Sequence, residues 1–137
     1  MSEIIIFDTS VLVDDLRTGC HQEHIESVAG LVRTSSVVLA ELWRGARKPT
    51  EREFLRTLQR NHPVISPTAG NWLESGQLLA KIGANKGFSP DKLRALHFAV
   101  LIALTARSHG ARLITSNRAN FELINSYCKL KLEVWAA

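Results

Sequence analysis

The run Ile4-Ile5-Ile6-Phe7, broken abruptly by Asp8-Thr9-Ser10, constrains this chain more than any other feature. Three consecutive isoleucines and a phenylalanine leave no polar face. A strand with that composition is stable only when both sides are covered, which is the environment of a central strand in a parallel sheet. Three residues able to cap a helix follow at once, and Val11, Leu12, Val13 and Leu16 continue at helical spacing. The first 16 residues thus read as strand, polar strand end, helix.

The same alternation continues along the chain. A helix is expected from about His21 to Ala29, ended by Gly30. Thr34 to Leu39 is β-branched and apolar and predicts a second strand, leading into a helix over Ala40 to Ala46. Pro49-Thr50 opens a helix in which Phe54, Leu55 and Leu58 share a face, and Val64-Ile65-Ser66 predicts a short strand. A helix containing Trp72, Leu79 and Ile82 runs up to Gly87, and another from Pro90 to about His109 stops at Gly110. Arg112 to Thr115 reads as a strand, Phe121 to Ile124 as a short helix, and Leu130 to Trp135 as a closing strand. Helices long enough to cross between parallel strands make this an α/β chain. At 137 residues, with 45% hydrophobic and 22% charged side chains, residues 1–137 are expected to form one domain around one core.

The longest apolar run, Phe98 to Leu104, is too short for a membrane span, and Met1 leads straight into the first strand without a basic-then-apolar leader. A cytoplasmic protein without membrane contact is therefore expected. Cys20 and Cys128 form no metal-spaced pair and read as two buried or half-buried thiols. The formal charge of +4 favours a polyanionic partner such as RNA only weakly, since a basic solvated surface has the same composition.

Ligands of open parallel sheets bind at the carboxyl ends of the strands. Asp8 ends the first strand, Glu41 is expected one or two residues into the helix after the second apolar run, and Asn117 and Asn120 follow the strand ending at Thr115. All four can meet at one rim. Each also has a plainer reading. Asp8 can be a helix cap, Glu41 a surface glutamate, and Asn117 and Asn120 turn formers. Arg44, Arg47, Lys48 and Arg52 either track an RNA backbone or form a solvated face. His21 and His24, three apart, read either as a metal pair or as surface helix residues, the other three histidines show no ligand spacing, and the three tryptophans read as core or interface packing. A haloacid-dehalogenase-type site would need an aspartate where Ser10 stands, and the chain has no glycine-rich phosphate loop.

Ile6-Phe7-Asp8-Thr9-Ser10-Val11-Leu12, Val38-Leu39-Ala40-Glu41-Leu42-Trp43-Arg44-Gly45, Leu101 to Ala106, and Gly110 through Asn117 to Asn120-Phe121 occur in order over nearly the whole chain. This pattern resembles the PIN-domain family, especially VapC-type toxins. The resemblance implies a three-layer α/β/α fold with a mostly parallel central sheet flanked by helices. It implies an endoribonuclease that holds Mg²⁺ or Mn²⁺ with three or four acids, a small antitoxin partner and a homodimer. Asp8 and Glu41 match the first two acids and become the metal ligands. Asn117 and Asn120 become residues that orient water or substrate, and Thr9, Ser10, Arg44, Arg47 and Lys48 candidate RNA contacts. The chain departs from the family at the third acid, where Ala99 stands, and at the fourth, where Asn120 stands.

No neighbour of Ala99 on the same helical face replaces the lost acid. Ala95, Leu96, Ile102 and Ala103 are all apolar. His97 lies roughly 200° round the helix, and Asp91 about 12 Å back along the axis. With two acids of four, metal binding is expected to be weak. Two readings follow: an active but impaired endoribonuclease, or a PIN-like binding module that keeps its dimer, antitoxin or RNA contacts without turnover.

Overall fold

In the computed structural model, which describes residues 3–136, five parallel strands form one sheet in the order β3-β2-β1-β4-β5. The strands are β1 (Ile4–Phe7), β2 (Leu31–Ser35), β3 (Val64–Ile65), β4 (Arg112–Thr115) and β5 (Lys131–Val134). The helices are α1 (Thr9–Thr18), α2 (Gln22–Ser27), α3 (Ser36–Gly45), α4 (Pro49–Asn61), α5 (Ala69–Lys86), α6 (Pro90–Ser108) and α7 (Arg118–Tyr127). The central position of β1 follows from its composition: Ile5, Ile6 and Phe7 are buried, with β2 on one side and β4 on the other.

From β1 the chain steps outward to β2 and β3, then returns across the sheet to β4 and continues to β5. Right-handed crossovers stepping in opposite directions put their helices on opposite faces, which makes three layers. On the first side α1 packs on α3 and α3 on α4; on the second α5 packs on α6 and α6 on α7. The direction of travel reverses between β1 and β4. That junction is the topological switch point, where a crevice opens beyond the strand ends. No helix among the described residues is long and apolar enough to cross a membrane.

Three expectations need correction. The strand predicted over Thr34 to Leu39 instead occupies Leu31–Ser35, and Ser36 to Leu39 are helical. The Ser35 hydroxyl accepts hydrogen bonds from the Val37 and Val38 amides and starts α3 there. Val37, Val38 and Leu39 are buried by the helix as completely as a strand would bury them, so the apolar run alone does not distinguish the two. As a result Glu41 stands in the second turn of α3, not one or two residues into a helix. The helix expected from about His21 to Ala29 is only Gln22–Ser27. Gly30 serves the sheet instead, at φ 148°, where a Cβ would lie 2.6 Å from the Glu3 carbonyl oxygen beside β1. Finally, α7 is longer than Phe121 to Ile124, because the Asn117 side chain accepts from the Asn120 amide and starts the helix at Arg118.

Candidate metal centre

Asp8 ends β1 at the switch point and is 5% exposed. Its amide donates to the Ile114 carbonyl of β4 at 2.8 Å, which fixes the backbone at the junction of the two strands. Its Oδ2 atom accepts from Ser10 Oγ at 2.7 Å, from Thr115 Oγ1 at 2.8 Å and from the Ser10 amide at 3.4 Å. Asp8 is thus the N-cap of α1, as the plainer reading expected. The cap uses one oxygen only; Oδ1 takes none of these bonds.

Glu41 reaches the same place from α3, and its Oε1 accepts from Thr9 Oγ1 at 2.8 Å. Its carboxyl is held above the ordinary glutamate value of 4.5, first by burial and then by the neighbouring charge of Asp8, against the pull of the Thr9 hydroxyl and Arg44. Asp8, Thr9, Ser10, Glu41, Asn117 and Asn120 line one depression of about 120 Å³, together with Ala95, Ala99, Ile102 and Phe121. The carboxylates, hydroxyls and amides come from the β1–α1 junction, α3 and the β4–α7 junction, and α6 contributes only two alanines and an isoleucine to the lining. The basic residues lie elsewhere. Arg44 acts on Glu41 through its charge but does not line the depression, and the backbone amides of Arg47 and Lys48 bind Glu51 Oε1 at 3.0 and 2.9 Å. Lys48 borders a separate hollow with Leu16, Arg17, Thr50 and Glu51.

The sequence reading assigned no role to Thr115, yet its hydroxyl holds Asp8 and accepts from the Asn117 amide at 2.9 Å. The available signal was a hydroxyl residue ending the strand that neighbours β1. His97, set aside by its azimuth on α6, does turn away and meets Ser75 Oγ at 3.0 Å.

The elevated carboxyl of Glu41 has a measurable consequence. Between 4.5 and its higher folded value, the folded chain keeps a proton that the unfolded chain has released. Bound protons then favour the folded state, so this group's contribution to stability falls as pH rises through that window. Glu41→Gln cannot ionise, so its stability relative to the parent should rise from about pH 4 to about pH 7 in urea unfolding. A difference that falls over this range would contradict the assigned burial.

The donor set fits a hard cation: two carboxylates and two side-chain amides, all oxygen-bearing, with room for water. Among the described residues no three His, Cys, Asp or Glu side chains gather to enclose a metal, so a cation here would keep several waters, as Mg²⁺ does at sites with one or two carboxylates.

The family model of the PIN domain matches residues 5–125, and the chain belongs to the PIN-domain family. It is similar in structure to a chain of VapBC2 from Rickettsia felis, bound to a DNA fragment from their promoter, with TM-score 0.72 and 24% identity over 96% of this chain and 98% of that one. A chain of VapBC-1 from nontypeable Haemophilus influenzae gives TM-score 0.70 and 21% identity over 96% and 98%. A chain of DNA-bound VapBC from Salmonella typhimurium gives 0.69 and 23% over 99% and 100%. At these identities the likeness is one of fold. Comparison with curated proteins returns no match.

Proposed function

We propose that this chain is a VapC-like, divalent-metal-dependent endoribonuclease, the toxin of a toxin–antitoxin pair, working with a reduced set of acids. The observation that carries the reading is the meeting of Asp8 and Glu41 in one polar depression at the switch point of the sheet. The antitoxin partner is supported by the similarity in fold to chains of VapBC, a family of toxin–antitoxin systems. RNA as substrate is in keeping with the charge of +4 and with the charge of Arg44 felt at Glu41. A homodimer is the expected assembly, and the adjacent Trp72 and Leu73 of α5, 49% and 73% exposed, offer apolar surface for one.

When bound, Mg²⁺ or Mn²⁺ would supply an activated water and neutralise charge on the scissile phosphate. Asp8, through Oδ1, and Glu41 would hold the cation. The hydroxyls of Ser10 and Thr115 keep Asp8 from rotating, and Thr9 does the same for Glu41. Asn117 and Asn120 orient water or a phosphate oxygen through their amides. A water activated in this way would give up a proton and attack phosphorus, the bond to the leaving ribose oxygen would break as that oxygen takes up a proton, and no covalent bond to the enzyme would form.

The second reading, a binding module without turnover, is favoured by the α6 lining, where Ala95, Ala99 and Ile102 offer no oxygen. Purified protein incubated with a mixed RNA pool separates the two. The proposed nuclease cuts slowly in millimolar Mn²⁺ and stops when EDTA is added. Cleavage that continues in EDTA would sink the metal mechanism, and Mn²⁺ binding without any cleavage would leave the binding module.

A further inference from the structure

His21, at the N-terminus of α2, is 1% exposed, and His24, His62, His97 and His109 are all more open. A leucine would fill such a place without a polar atom to satisfy; a buried imidazole needs partners. Its Nε2 lies 3.1 Å from Ser116 Oγ, with Asp14 Oδ2 at 3.6 Å. The ring packs against Trp135, with centroids 5.6 Å apart, and the Trp135 amide donates to the Thr115 carbonyl at 2.8 Å. The turn between α1 and α2 is thereby clipped to the turn between β4 and α7.

From Ser116 the contacts run on to the candidate centre. The Ser116 amide donates to Ser10 Oγ at 3.0 Å, and Ser10 Oγ donates to Asp8 Oδ2 at 2.7 Å. Ser10 Oγ also lies 3.2 Å from Thr115 Oγ1, the other hydroxyl on Asp8. We infer that His21 is a positioning residue for this centre: by holding Ser116 it fixes Ser10, and through Ser10 it fixes the plane of the Asp8 carboxylate. The inference rests on the reading of Asp8 as a cation ligand. Partners one step behind a metal ligand orient it, and their loss typically weakens metal affinity about 10- to 100-fold.

The test is Mn²⁺ titration by calorimetry, with melting temperatures recorded beside it. His21→Leu fills the space without a donor and should bind Mn²⁺ about 10-fold more weakly. His21→Gln places an amide nitrogen near the Nε2 position and should recover most of that loss. Ser116→Ala keeps the backbone amide, removes only the oxygen that His21 meets, and should match His21→Leu. The two changes combined should cost no more than either alone, because they cut the same link. If His21→Leu is poorly folded, Ser116→Ala decides, and unchanged affinity there overturns the inference. Unchanged affinity in a folded His21→Leu overturns it too, provided Asp8→Asn abolishes the heat; the centre itself then stands. If Asp8→Asn also binds as the parent does, the underlying reading of Asp8 is wrong.

Discussion

Changing Ala99→Asp and Asn120→Asp together should tighten Mn²⁺ binding by a factor of about 100 or more, roughly 3 kcal/mol, and raise RNA cleavage with it. Both positions line the depression that Asp8 and Glu41 share. At an effective dielectric near 20, two unit charges 4 Å apart interact by about 4 kcal/mol, and a divalent ion doubles this. Repulsion among four crowded carboxylates and the exchange of bound water offset most of the gain, and a few kcal/mol remain. Asn120 is the third residue of α7 after its Asn117 cap, so an aspartate there also suits the helix N-terminus by about 0.3–1 kcal/mol. The metal-free double variant should nevertheless melt lower than the parent, since burial and Asp8 already raise the carboxyl of Glu41. Adding Mn²⁺ should reverse that order. No gain in affinity or cleavage would mean that Ala99 and Asn120 do not face the cation.

The places where sequence reasoning succeeded and failed have physical causes. β1 was legible because its apolar run is short, carries three β-branched isoleucines and is cut off by Asp8-Thr9-Ser10, which together favour a covered strand with Asp8 at its carboxyl end. The azimuth of Ala99 was legible because a 19-residue helix has a regular phase. The start of α3 was not, because Val37-Val38-Leu39 can be buried in either backbone and the decision fell to one hydroxyl, that of Ser35. Arg47 and Lys48 looked adjacent to Glu41 in sequence, yet α3 ends at Gly45 and their amides turn to cap α4 through Glu51. Thr115 and His21 were silent because their partners lie 107 and 95 residues away along the chain. Local pattern carries no such information; only the pairing of β1 with β4 brings them together.

Asp8→Asn is expected to have the largest loss of function. An asparagine keeps one oxygen where Oδ2 accepts from Ser10 and Thr115, so the cap of α1 and the junction with β4 survive. It puts an amide nitrogen in place of Oδ1, the oxygen that takes none of those bonds, and so would replace a charged ligand with a donor. Cleavage should fall by about a thousand-fold or to background, with melting within a few degrees of the parent. Asp8→Ala should also lose the cap, at about 1 kcal/mol of stability.

Calorimetric titration of Mn²⁺ into the parent and into folded Asp8→Asn therefore addresses the shared-cation claim with least intervening argument. The parent should show saturable heat at one weak site, and the variant none. Equal heats from the two proteins would remove the β1 carboxylate from the ligand set and contradict the account.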